Sequence, residues 1–147
     1  MANTARMSRE LYLPRELVFD AWTQGEHLAQ WYAPDDCLAE VVVEPVAGGR
    51  FEVAWSDPSG GRFREAGTFA EVSPPEGFVC TLARFRADAD VAQTRLSLEL
   101  SDLVDACRIT LREEAAAGGE KSDARLEEFR QRWESRLDRL ERYFSAI

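Results

Sequence analysis

The sequence predicts an α+β domain in which an antiparallel sheet is covered by one long C-terminal helix. Three observations predict it. Residues 37 to 113 lose all helical periodicity and break into β-rich runs joined by short turns. The last 26 residues carry an unbroken apolar stripe at helical spacing. Two short amphipathic segments follow a first strand and precede the rest of the sheet.

The first strand is expected at residues 6 to 13, "RMSRELYL", ending at Pro14, which suits the first turn of a helix. In "RELVFDAW", Leu17, Val18, Ala21 and Trp22 make one apolar stripe. Thr23 and Glu26 match a capping box and are expected to start a second short helix, which carries Leu28, Trp31 and Tyr32 and stops before Pro34. Neighbours on a helix point about 100° apart. One of Trp31 and Tyr32 is therefore expected to close the core, the other to reach toward a cavity mouth.

"CLAEVVVEP" and "GRFEVAWSD" are strand runs, and "SDPSGG" is a dense turn signal that pairs the second of them with "RFREAGTFAEV". "FVCTLARF", "TRLSLELSD" and "ACRITLREE" follow, the last two joined near "LVD". Short turns imply a meander, because parallel pairing needs long crossovers. "AAAGGEK" reads as a connection. In the terminal helix, with Ser122 as its N-cap, Leu126, Phe129, Trp133, Leu137, Leu140, Phe144 and Ile147 form the buried stripe. Glu128–Arg132 and Asp138–Arg142 are expected as i,i+4 pairs on a solvated face. The inward strand faces carry Val41, Val43, Phe51, Val53, Trp55, Phe63 and Phe69.

Composition excludes several classes. The chain has 147 residues, read as one domain over 1–147, with 27 acidic and 18 basic residues and a net charge of −9. The basic residues do not cluster, so no nucleic-acid partner is expected. No apolar run approaches the roughly 20 residues of a membrane span, and the first ten residues lack the apolar centre of a secretion signal. A cytoplasmic protein is expected. Cys37, Cys80 and Cys107 have no metal or disulfide spacing, and with one histidine we assign no metal and no cofactor.

The quoted segments, in their order, resemble the SRPBCC or START-like superfamily, the helix-grip (START/Bet v-like) fold. Within it they resemble the family named for activators of the heat-shock-protein-90 ATPase. "PRELVFDAWTQGEHLAQWYAP" is similar to that family's opening signature, and "VAGGRFEVAWSDPSGG" to its Gly-Gly-Arg-Phe strand and turn. "EAGTFAEVSPPEGFVCTL" is similar to its strand exit, and "RWESRLDRLERYF" to its closing helix. The resemblance implies a curved antiparallel sheet wrapped around the C-terminal helix, with an apolar cavity between them that in related proteins holds lipids, sterols, hormones or polyketides. One position departs: before the helix tryptophan, where family members often have glycine, stands Arg132.

The expected site is that cavity, lined by Tyr32, Phe51, Trp55, Phe63, Trp133 and Leu137, holding a small apolar or aromatic ligand. Glu65 is the anomaly. Alternation puts it on the face of Phe63, Gly67 and Phe69, where a carboxylate must be paired or neutral; Arg84 or Arg86 could pair it. A bulge near Gly67 would instead turn it to water. His27 has no Ser, Cys or Asp at triad spacing, and Asp35, Asp36 and Glu40 read as loop acids. The alternatives are a chaperone-binding or other protein-interaction domain and, third, a cyclase- or hydrolase-like enzyme. Exposed strand edges allow a monomer or a homodimer.

Overall fold

The computed structural model describes residues 4–86, 92–115 and 123–145. Strand β1 (Thr4–Leu11) is followed by helices α1 (Arg15–Thr23) and α2 (Gly25–Trp31). Then come β2 (Leu38–Val43), β3 (Arg50–Ser56), β4 (Arg62–Ser73), β5 (Gly77–Arg86), β6 (Ala92–Leu103) and β7 (Ala106–Ala115), and finally α3 (Asp123–Ser145). The strands form one antiparallel sheet in the order β1-β7-β6-β5-β4-β3-β2. The six later strands run as the expected meander, and β1 returns to the edge beside β7.

The sheet curls where β4 bends. A Cβ at Gly67 would lie 1.6 Å from the carbonyl oxygen of Thr81, so the two strands approach as only glycine permits. The register then shifts between Phe69 and Glu71. The hairpin between β3 and β4 is tied by Asp57, whose Oδ1 accepts from the Ser59 hydroxyl (2.7 Å) and the amides of Ser59 (3.0 Å) and Gly61 (2.7 Å). These bonds, the Ser59 hydroxyl first, hold the Asp57 carboxyl below its ordinary value.

Helix α3 lies against one sheet face, and its stripe residues Phe129, Trp133, Leu137 and Leu140 are buried there. Their neighbours include Val53, Phe51 and Phe69 from the sheet and Trp22, Leu28 and Trp31 from the short helices. At about 25 cal/mol per Å² of apolar surface, such burial dominates the favourable side of folding.

Several local expectations are corrected. Strand β1 begins and ends two residues earlier than read, leaving Tyr12 exposed. Leu17 faces solvent while Phe19 takes its place inside. The capping box does not form: Thr23 closes α1 by donating to the Phe19 carbonyl at 2.8 Å, and Gln24 caps α2 through its backbone only. Neither i,i+4 pair forms among the described residues: Asp138 goes to Arg9 at 2.8 Å, Arg142 to Asp35 at 3.1 Å, and Arg132 approaches Glu113 at 3.8 Å. Tertiary partners on β1 and the α2–β2 loop sit within reach of these side chains and outcompete weak local pairs. Ser122, Ile147 and most of the "AAAGGEK" connection lie outside the described residues.

Candidate functional site

Between the sheet and α3, an aromatic cluster and a charge network share one interior. Tyr32 caps the end of α2 and is fully buried. Its ring meets Phe51 (centroids 5.7 Å apart), Trp133 (6.0 Å) and Trp22 (6.2 Å) edge-on. Trp22 stacks on Trp133 at 5.5 Å, and Trp31, whose indole N–H donates to the Ala21 carbonyl at 2.9 Å, closes the cluster beneath the short helices. Both members of the Trp31–Tyr32 pair are thus buried. Tyr32 keeps helical dihedrals, and the end of α2 is enclosed on two sides, Trp31 reaching Ala21 of α1 and Tyr32 reaching Phe51 and Trp133.

Glu65 points inward. The register shift falls beyond Gly67, so Glu65 keeps the inner-face parity, paired with Val53 and Arg84 on the neighbouring strands. Its residue is 3% exposed. The Tyr32 hydroxyl donates to its Oε1 at 2.7 Å. Arg136 of α3 donates both terminal nitrogens to the same carboxylate and its Nε to the Tyr32 carbonyl (3.1 Å). The Arg136 guanidinium also lies over the Tyr32 ring at 3.9 Å and near Trp133 at 4.8 Å.

The network continues through Arg84, whose Nε is 3.4 Å from Glu65 and whose two terminal nitrogens grip Glu113 of β7 at 2.6 Å each. Glu113 also accepts from the Trp133 indole at 3.2 Å. Arg132 approaches the same carboxylate at 3.8 Å. Bidentate arginine–carboxylate geometry of this kind gives both strength and orientation.

The electrostatics follow from this geometry. Burial alone would raise the Glu65 carboxyl, but the guanidiniums of Arg136 and Arg84 and the bonds from Arg136 and Tyr32 hold it well below the usual carboxylate range. Glu113 is likewise held low against burial by Arg84 and Arg132. Burial raises the Tyr32 phenol, so it stays a donor. The Arg84 cation is strengthened: Glu65 and Glu113 outweigh its desolvation.

Trp55 and Phe63 sit at the rim. Their rings stack at 5.6 Å with planes 15° apart, and Trp55 lies 5.9 Å from the Arg136 guanidinium. Both also line an open cleft of about 890 Å³ at the β3–β4 end of the sheet, with Phe85, Leu38, Arg62 and Arg64 among its walls. That size falls within the usual range of ligand pockets. Trp55 therefore touches the cleft on one side and the charged interior on the other. Leu137 is fully buried beneath α3.

Sequence spacing offers Arg84 as a partner of Glu65; Arg136, Glu113 and the inward approach of Arg132 emerge only in the fold. The signal was present. Arg136 lies three residues after Trp133 and four before Leu140, inside the apolar stripe, and Glu113 follows Cys107, Ile109 and Leu111 at strand parity. Arg86 pairs with Phe63 by backbone register. His27 accepts or donates at Nδ1 to the Tyr143 hydroxyl (2.7 Å), joining α2 to α3. Among the described residues, no group of three His, Cys, Asp or Glu side chains could hold a metal ion, and no helix is long and apolar enough to cross a membrane.

Against this geometry, the family model for Activator of Hsp90 ATPase homolog 1-like protein matches residues 12–145. The chain belongs to that family. Among curated proteins, none matches the sequence significantly. Solved structures give the fold at low identity. A Rhodobacter sphaeroides protein superposes with a TM-score of 0.83 at 17% identity, covering 99% of this chain and 94% of that one. The AHSA1 protein of Silicibacter pomeroyi gives 0.79 at 19%, covering 97% and 98%. DynU16, a protein of the dynemicin biosynthetic locus, gives 0.71 at 15%, with 97% of this chain matched to 47% of the other. These likenesses show the helix-grip fold of the family, a curved antiparallel sheet closed by the C-terminal helix.

Proposed function

We propose that this member of the activator family is a small-molecule binding module. Its ligand is apolar or aromatic and enters over Trp55 and Phe63, with Tyr32, Phe51, Glu65, Trp133 and Leu137 behind them. The observation that carries this reading is the position of Trp55, which lines the open cleft and lies 5.9 Å from the Arg136 guanidinium of the buried network. Buried ion pairs seldom repay their desolvation in stability compared with an apolar core. A cluster of strongly perturbed groups beside a cleft is a better fit to recognition.

The test is a fluorescence titration with N-phenyl-1-naphthylamine, a neutral apolar probe. The reading expects saturable one-to-one binding, weakened several-fold in Trp55→Leu when both proteins are titrated well below the variant's own melting temperature. Unsaturable, partition-like emission identical in both proteins contradicts it.

A second reading, a surface for a chaperone partner, is favoured by one observation. At the free edge of the sheet, Leu38 and Val42 share one face of β2 and are 89% and 37% exposed. It expects the ATPase rate of a purified heat-shock-protein-90 chaperone to rise with this protein and not with Leu38→Glu. An unchanged rate with the wild type removes it.

A further inference from the structure

Of the described strands, β1 and β2 form the two edges of the sheet, and only β1 is guarded. Along β1, Arg6, Arg9 and Glu10 interrupt the apolar residues. Ion pairs to Asp138, Glu141 and Arg108 hold Arg9 and Glu10 at that edge. Charges on an edge strand are a common defence against pairing with another chain. Strand β2 lacks that defence. Apart from Glu40 its residues are all apolar, and its register against β3 runs unbroken from Leu38 to Val43. Leu38 and Val42 are exposed on its outer face, and Ala39, Val41 and Val43 are only half-buried on the inner one.

The direction of the free backbone groups follows from the β2–β3 hairpin. The Glu44 amide donates to the Arg50 carbonyl at 2.8 Å, so the backbone of Glu44 faces β3. Alternation along the strand then turns the backbone groups of Glu40 and Val42 toward β3 as well. It leaves the N–H and C=O of Ala39, Val41 and Val43 pointing out of the sheet. A row of such groups on a regular apolar edge strand is a template for another strand.

We infer that this edge recognises a second copy of the chain, β2 pairing antiparallel with the partner's β2 about a two-fold axis at Val41 and joining two sheets into one. A strand paired with its own two-fold image keeps inner and outer faces in step only when the axis lies at a residue. The side chains choose which one. An axis at Glu40 sets the two Glu40 carboxylates opposite each other, and an axis at Val42 sets Glu40 opposite the partner's Glu44. Like charges directly opposite are destabilising. An axis at Val43 brings the partner's Pro45, which has no N–H, opposite Val41. An axis at Leu38 or Ala39 leaves Val42 and Val43 outside the pairing. At Val41, Glu40 meets the partner's Val42, and the outward groups of Ala39, Val41 and Val43 pair with one another. Leu38 and Glu40 also line the open cleft, so the partner's Val42 comes to its rim. The pairing itself depends on no ligand.

The experiment is sedimentation velocity on the full chain at physiological salt, where repulsion between two acidic copies is screened beyond about 8 Å. One strand pair makes a small interface, so a reversible monomer–dimer equilibrium is expected between about 5 and about 500 µM. Val42→Lys sets an ammonium opposite the partner's Glu40 on both sides of the axis. At the usual strength of cross-strand charge pairs, it is expected to tighten the dimer about two- to thirty-fold. Val42→Glu is expected to loosen it by a similar factor. Val46→Lys, beyond the strand and 61% exposed, makes the same change of net charge and is the control. Val41→Pro removes the central outward N–H, leaves the bonds to β3 in place and is expected to abolish the dimer, its fold checked by a melting curve. A monomer at every concentration overturns the inference and leaves this edge to the chaperone reading. A dimer that tightens no more in Val42→Lys than in Val46→Lys overturns the register. A dimer that persists in folded Val41→Pro overturns the assignment to β2. If Val41→Pro does not fold, the comparison of Val42→Lys with Val42→Glu decides alone.

Discussion

Tyr32 at the end of α2 and Glu65 in the middle of β4 are joined by a 2.7 Å hydrogen bond, hydroxyl to carboxylate, with both residues buried. The contact ties the short helices to the sheet. It also presents Glu65 to Arg136, which reaches down from α3 and grips the carboxylate and the Tyr32 carbonyl together. Three layers of the fold therefore meet at one carboxyl group.

Removing the hydroxyl tests the contact in isolation. In Tyr32→Phe the ring and its aromatic neighbours remain, but Glu65 loses a donor. Hydrogen bonds to charged groups contribute about 1.5–3 kcal/mol, so urea unfolding is expected to show a loss of that order. Glu65→Gln goes further and strands the Arg136 guanidinium, while Arg84 keeps its two bonds to Glu113. Breaking a buried pair from one side costs about 3–5 kcal/mol. A Glu65→Gln protein as stable as the wild type contradicts the central place given to this carboxylate.

Acid should unfold the protein through the same network. Glu65 and Glu113 are held below their ordinary values in the folded state, whereas in the unfolded chain glutamate titrates near 4.3. Between those limits the unfolded chain binds more protons. The stabilisation is thus complete above about pH 5 and is lost as pH falls through the folded values. Urea midpoints measured from pH 7 to pH 3 are expected to fall below pH 5, with a shallower fall in Glu65→Gln. A flat wild-type profile down to pH 3 contradicts this.

Gly67 was legible as an oddity within its strand, but the sequence could not say whether the chain bulged at Gly67 or beyond it. The bulge lies beyond, and that placement decides whether Glu65 faces in or out. The overall architecture was far easier to read, because a meander with short turns and a 23-residue amphipathic helix have few other arrangements. The network was harder. Arg136 and Glu113 hide in apolar stripes whose polar members look like surface residues until sheet and helix are brought together. The ion pairs of α3 escape i,i+4 reasoning because their partners, Arg9 and Asp35, are distant in sequence.

Adding a methyl group at Gly67 probes the bend directly. The new Cβ would lie 1.6 Å from the Thr81 carbonyl oxygen, a backbone atom that cannot rotate away. Gly67→Ala is expected to cost about 3 kcal/mol, lowering the melting temperature by roughly 6–12 °C. Gly25→Ala is the control. Its Cβ would meet only Val41 and Val43 methyl groups at 3.7 Å, ordinary contact, at the first residue of α2. Equal melting temperatures for both variants refute the close approach at Gly67.

Thiol chemistry reports on the integrity of the interior. Cys80 and Cys107 are buried and Cys37 is partly exposed. Burial pushes all three thiols up, Cys80 most strongly, with Glu113 and Glu65 adding to the effect. Ellman's reagent at pH 8 is expected to modify Cys37 slowly in native protein and the other two only after unfolding. Rapid release of three equivalents without denaturant contradicts the buried placement.

Trp133 and Trp55 separate structure from binding. Trp133 is fully buried at the centre of the aromatic cluster, and Trp133→Ala is expected to lose about 3–5 kcal/mol of stability. Trp55 is buried but also lines the cleft, and its replacement by leucine should lower ligand affinity in addition to stability.

Native mass spectrometry of protein purified gently from its own host tests ligand binding most directly. The account predicts a reproducible extra mass that disappears on denaturation and is absent or diminished in Trp55→Leu. Bare protein at its calculated mass in every gentle preparation, wild type and variant alike, would contradict it.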